Sequence, residues 1–195
     1  MNIILKHLKI YGMHKRWIAM FSQTGSELIE VINALDREPD IIITNRRPEH
    51  LRSINQDLLN RCENKICYVS NKPTLKEYYG IFERFVFNPI VTLHGWLRVI
   101  PPEICNNYEI YNGHPGDIIK YPKLKGKDPQ LKAWEKNYKF IGTVLHKVTE
   151  EIDEGEIIAY KNKISTRNLV LDDYFRILRD ESIVLWIKFL NKRLY

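Results

Sequence analysis

Trp17-Ile-Ala-Met-Phe21, then Ser22-Gln-Thr-Gly-Ser26, then Glu27-Leu-Ile-Glu-Val-Ile-Asn-Ala-Leu35 is the stretch on which the fold turns. Five consecutive apolar residues read as a buried strand. The Ser/Thr/Gly run reads as a turn. Leu28, Val31, Ile32 and Leu35 then recur at helical spacing. A strand, a small-residue turn and a helix start leave free backbone N–H groups at the helix N-terminus, an arrangement that suits an anion. The same turn equally suits a plain helix cap from Thr24 or Ser26, and these residues leave both uses open.

The pattern repeats outward from there. Pro39–Thr44, Ile66–Val69 and Asn88–Leu93 read as further buried strands. His50–Leu59 and Thr74–Phe85 read as helices, the second capped by Thr74. Strands alternating with helices at this spacing predict an α/β fold: a single doubly wound, mostly parallel sheet with helices on both faces. In such sheets ligands bind outside the carboxyl ends of the strands. Farther along, Asp128 and Pro129 read as N-cap and first position of a helix running to about Asn137. Ile141–Val148 and Glu156–Ile164 read as strands that mix the sheet near its C-terminal end. Leu171–Leu190 reads as a long amphipathic helix with Phe175, Leu178, Val184, Trp186, Ile187 and Leu190 in the core.

The 195 residues fit one domain, 1–195, with a sizeable core, and 44% hydrophobic with 28% charged residues is globular composition. No apolar run approaches the roughly twenty residues of a spanning helix, and Met1–Tyr11 lacks the marks of a signal peptide. Three cysteines, Cys62, Cys67 and Cys105, are odd in number and form no Cys-x-x-Cys pair. They suit a reducing, cytoplasmic setting. The net charge of +6 suits an anionic small partner or a solvated basic surface. Lys120, Lys123, Lys125 and Lys127, interleaved with Tyr121, Pro122 and Gly126, have the makings of a single-strand platform. Their proline and glycine read better as a surface loop, which argues against nucleic acid. No Gly-x-Gly-x-x-Gly is present, so no nicotinamide or flavin is indicated.

The chemistry concentrates in Tyr111-Asn-Gly-His-Pro-Gly-Asp117. Asn112 and His114 follow a short apolar run that reads as a strand, so period-two geometry puts both side chains on one face. An amide, an imidazole and a carboxylate from elsewhere are the parts that stabilise an oxyanion and move protons. Singly, Asn112 is as well read as a turn cap, His114 as a satisfied loop histidine and Asp153 as a turn aspartate. His94, His114 and His146 with Asp153 also raise a metal, but no His-Glu-x-x-His or similar ligand spacing supports one.

The ordered set Asn112-x-His114-Pro115, Lys125-Gly126, Gly142-Thr143-Val144-x-His146 and Ile152-Asp153-x-Gly155 resembles the folate-dependent formyltransferase family, from about Trp17 to about Leu190. The resemblance implies a Rossmann-like formyltransferase domain, with residues 1–15 an N-terminal extension of unassigned role. It implies transfer of a formyl group from 10-formyltetrahydrofolate, as cosubstrate, to a primary amine. Glycinamide ribonucleotide of purine biosynthesis is the leading acceptor; an amino-sugar nucleotide or other small amine, or a catalytically silent folate- or nucleotide-binding module, are the alternatives. Asn112, His114 and Asp153 become the catalytic trio, with Asp153 raising the pKa of His114 and His114 donating to the oxyanion. Leu97, Arg98, Val99 and Ile100, in a segment similar to the family's pterin-lining Gly-Phe-Met-Arg-Ile-Leu, and Glu150 and Glu151 become folate contacts. Thr24, Gly25 and Ser26 become the acceptor's phosphate cradle and Glu181 a contact to its amine end. Glu27 stands where the family's Gly-Ser-Asn turn has Asn, and Leu178 where it has Gln, both departures touching the acceptor. The partners implied are folate and a small amine, with no metal and no membrane, in a monomer or homodimer.

Overall fold

The computed structural model describes residues 15–47, 49, 53–85 and 89–195. The expected extension lies outside them save Lys15, as do His50 and Asn88. Seven strands among the described residues form one sheet: β1 (Trp17–Phe21), β2 (Ile41–Thr44), β3 (Ile66–Tyr68), β4 (Ile90–Leu93), β5 (Glu109–His114), β6 (Phe140–Lys147) and β7 (Ile157–Ser165). Their order is β3-β2-β1-β4-β5-β6-β7. The first five run parallel, while β6 is antiparallel to β5 and β7 to β6. The helices are α1 (Ser26–Leu35), α2 (Gln56–Cys62), α3 (Leu75–Phe82), α4 (Pro102–Asn107), α5 (Pro129–Glu135) and α6 (Leu171–Leu194).

The alternation within β1 explains the two layers. Trp17, Ala19 and Phe21 pack with α1, α2 and α6 on one face, and Ile18 and Met20 with α3 and α4 on the other. All five side chains are fully buried, each of the large ones contributing roughly 1.5–3 kcal/mol. Trp17 keeps its one polar atom satisfied by donating from Nε1 to Thr92 Oγ1 at 2.7 Å. On α6, Tyr174, Leu178, Ser182, Trp186, Leu190 and Leu194 recur every fourth residue and are all buried, the stripe that docks a helix.

Some element details differ from the sequence reading. The helix expected from His50 starts at Gln56, because Asn55 caps it by accepting from Asp57 N and Leu58 N. Asp128 occupies the N-cap of α5 in a left-handed conformation with φ 53° and makes no side-chain cap. The final helix runs on to Leu194, and Phe175 and Val184 lie outside its buried stripe, 45% and 41% exposed.

Candidate active site

β5 places Asn112 and His114 side by side at the carboxyl edge of the parallel sheet, facing away from Gly113. The bare Cα of Gly113 rests against Ser182 and Trp186 of α6. Antiparallel register then puts His146 of β6 directly opposite Asn112. The loop between β6 and β7 carries Asp153, held in a left-handed conformation with φ 55°. Two residues later, Gly155 packs so tightly on the backbone of Lys147 that a Cβ would lie 1.9 Å from its carbonyl oxygen. That contact sets where the loop, and with it Asp153, comes to rest.

The four side chains form one network. Asn112 Nδ2 lies 3.2 Å from His146 Nε2. Asp153 Oδ1 lies 3.3 Å from the same nitrogen, and Oδ2 lies 3.2 Å from His114 Nδ1. Gly126 N–H donates to Asp153 Oδ2 at 2.8 Å. His114 Nε2–H donates to the Leu124 carbonyl at 2.9 Å, and His146 Nδ1–H to the Lys147 carbonyl at 2.9 Å. Buried Thr143 donates to the backbone carbonyl of His114 and locks the end of β5. One carboxylate thus faces two imidazoles, and the Asn112 amide keeps a hydrogen for another acceptor.

The protonation balance differs from the expectation. Burial is the largest influence on His114 and holds its pKa below the ordinary imidazole value, although Asp153 and the Leu124 carbonyl act in the opposite sense. Desolvation of a charge outweighs one ion pair here. For Asp153, burial pushes upward, but the hydrogen bond to His146, the His114 charge and the Gly126 N–H together hold its carboxyl below the usual range. Both ring nitrogens of His114 face acceptors, so donation to an oxyanion requires one of those contacts to open. Sequence reasoning missed Leu124 and Gly126 as partners; only the Lys125-Gly126 pair in the ordered motif pointed at this loop. The lysines around them lie beside the site, with Lys125 paired to Glu154 at 2.5 Å.

The other expected residues spread around this network. Gly25 occupies the N-cap of α1 in a left-handed conformation with φ 72°, and Thr24 Oγ1 accepts from Ser26 N and donates to Ser26 Oγ. Leu97 and Val99 stand 58% and 69% exposed while Ile100 is buried. Arg98 donates to the carbonyls of Asn71 and Leu97 and to Asn71 Oδ1. Together with Ser22, Asn45, Arg46, Arg47 and Asn71, Leu97 and Arg98 line a cleft of about 380 Å³. Glu150 and Glu151 are exposed on the loop before Asp153. Glu181 lies 4.0 Å from Lys161 Nζ, and Leu178 is buried. Glu27 turns away from the cradle toward His94 and Ser182. Among the described residues no group of three His, Cys, Asp or Glu side chains is arranged to hold a metal ion, and no helix is long and apolar enough to cross a membrane.

A family model described as formyl transferase matches residues 15–185. The chain belongs to that family. It is a formyltetrahydrofolate-dependent formyltransferase by class. A phosphoribosylglycinamide formyltransferase of Dictyostelium discoideum is 23% identical over 199 residues, covering 89% of this chain and 97% of the relative. A formyltetrahydrofolate deformylase of Bacillus subtilis is 26% identical over 144 residues, covering 70% of this chain but only 42% of the relative. In architecture, the phosphoribosylglycinamide formyltransferase of Campylobacter jejuni superposes with a TM-score of 0.77 at 21% identity, over 92% of this chain and 97% of the other. That likeness is one of fold.

Proposed function

We propose that this chain transfers the formyl group of 10-formyltetrahydrofolate to the primary amine of a small acceptor, with glycinamide ribonucleotide as the leading acceptor. The network joining Asn112, His146, Asp153 and His114 carries the reading. The acceptor nitrogen attacks the formyl carbon, and the carbonyl oxygen takes up negative charge. An Nδ2–H of Asn112 donates to that oxygen. Asp153, fixed by two imidazoles and the Gly126 N–H, orders the water that takes a proton from the amine and passes one to the departing folate nitrogen. His114 supplies the second donor when its contact to Leu124 or Asp153 opens. Exposed Leu97 and Val99 offer an apolar surface for the pterin, with Arg98, Glu150 and Glu151 around it. The Thr24–Ser26 turn supports a phosphate on the acceptor, with Glu181 near the amine end.

A second reading keeps the chemistry and changes the acceptor to an amino-sugar nucleotide. Glu27 and Leu178, in place of the family's Asn and Gln, favour it. The test follows the absorbance of the deformylated folate with each acceptor and with none. Turnover dependent on glycinamide ribonucleotide and lost in His114→Ala supports the first reading; turnover with an amino-sugar nucleotide alone supports the second. Acceptor-independent hydrolysis, or no folate binding, refutes both.

A further inference from the structure

Glu27 follows directly on the Thr24–Ser26 turn, yet its side chain leaves the turn and reaches the end of β4 and the middle of α6. Oε1 lies 3.3 Å from His94 Nδ1 and accepts from Ser182 Oγ at 3.3 Å. The His94 side chain is wholly buried, and its Nε2 lies 3.0 Å from Thr92 Oγ1. Its ring packs on Trp186 with centroids 4.6 Å apart. This framework commits one carboxylate oxygen and leaves Oε2 without a partner among the described residues, with 21% of the side chain exposed. Trp186 Nε1, fully buried beneath Gly113, is likewise unpartnered. Glu27 thus presents a solvent-open acceptor, held in place through its other oxygen, between the cradle and the back of the strand that carries Asn112 and His114.

We propose that Glu27 is a specificity-determining residue of the acceptor site. Its Oε2 accepts a hydrogen bond from a hydroxyl or ammonium group of the acceptor, and its carboxylate weakens, without abolishing, the hold of the adjacent turn on a phosphate. The group that Glu27 contacts is therefore a hydroxyl or an ammonium, as a sugar ring or an amine-bearing ring offers. His94 and Ser182 act as positioning residues, since a carboxylate anchored through one oxygen presents the other in a fixed direction. The inference rests on the formyltransferase reading above.

Glycinamide riboside and glycinamide ribonucleotide share an amine and a ring and differ by one phosphate, so they isolate the effect. kcat/KM for both is measured in wild type, Glu27→Gln and Glu27→Asp, and binding of inorganic phosphate is measured by calorimetry. Glu27→Gln is expected to shift the ribonucleotide-to-riboside ratio toward the ribonucleotide by about tenfold, one charge contact's worth of discrimination. The shift falls mainly in KM, phosphate binding tightens by a similar factor, and Glu27→Asp retains the wild-type preference. An unchanged ratio with unchanged phosphate affinity overturns the proposal. So does an equal loss on both acceptors accompanied by a lower melting temperature, which marks a structural role. Where neither acceptor turns over, the phosphate titration decides alone, and no tightening in Glu27→Gln overturns it. Failure of the underlying reading is separately visible as absence of 10-formyltetrahydrofolate binding by the wild type.

Discussion

Gly155→Ala tests whether the tight seat of the loop on β6 is what delivers Asp153. The added methyl would lie 1.9 Å from the Lys147 carbonyl oxygen, 2.8 Å from its carbon and 3.3 Å from Thr149 Cγ2. The nearest of these is backbone in a paired strand and cannot swing aside as a side chain would. Gly155 is absent from the positive-φ positions, so the obstacle is space and not conformation. Relief requires the loop to back away by more than about 1 Å. Asp153, two residues upstream, reaches His114 and His146 at 3.2 and 3.3 Å. A shift of that size removes both from hydrogen-bonding range. A misplacement of about 1 Å at a reacting group is worth roughly a hundredfold in rate. Overpacking costs about 1–3 kcal/mol, at roughly 2–4 °C of melting temperature per kcal/mol for a chain of this size. Steady-state turnover of the formyl donor and a thermal melt measure the two effects. Retention of more than half the wild-type turnover would refute the claim that this contact positions Asp153.

Asp153→Asn keeps the shape and removes the charge; turnover should fall by roughly 10²–10⁴, the usual weight of a proton-moving group, while donor affinity from fluorescence titration stays close to wild type. A pH series of denaturant midpoints should show a component of stability lost as pH drops. His114 is held below its ordinary value, so from about pH 6.5 downward the unfolded chain gains a proton that the folded chain resists. Asp153 is also depressed, so its contribution is present above about pH 3.9 and disappears below that as its folded pKa is crossed. His114→Gln should flatten the slope just below pH 6.5, and an unchanged slope there rules His114 out as its source. Gly80→Ala in α3, where a Cβ meets nothing within 4 Å, should raise stability by about 0.5–1 kcal/mol and leave turnover alone. A destabilised Gly80→Ala protein would show that α3 is constrained by something other than local propensity.

The parallel half of the sheet is legible in sequence because β1, β2 and β4 are buried almost end to end, so each reads as an apolar run broken at most by one threonine. The tight capping box of α3, where Thr74 Oγ1 accepts from Glu77 N, is legible for the same reason: it is written in side chains. Other features carry no such mark. The start of α2 depended on Asn55, which reads no differently from any loop asparagine. Phe175 and Val184 are apolar yet face outward, and hydrophobicity alone could not assign them. Leu97 and Val99, beyond the carboxyl end of β4, show the same ambiguity, being apolar and exposed. His114 is the instructive case within the site. Its partner Asp153 was anticipated, but the sign of the net shift depends on burial, a property of the folded neighbourhood that no local pattern encodes.

Two of the groups that frame the candidate site belong to no side chain: the carbonyl of Leu124, which accepts from His114 Nε2–H, and the amide of Gly126, which donates to Asp153. Alanine at Lys120, Lys123 or Lys127 would therefore change little, whereas alanine at Leu124, buried in the core beneath the loop, would be felt as a packing loss. Those three lysines are free to drift under mutation while the path of the loop is not. Changes of length, or Gly126→Pro with its missing N–H, would register where charge reversals do not. For anyone redesigning this enzyme, the loop is a place where surface charge and solubility can be rewritten at Lys120, Lys123 and Lys127, provided Lys125 keeps its pairing with Glu154 and the backbone still passes His114 and Asp153 at the same two points.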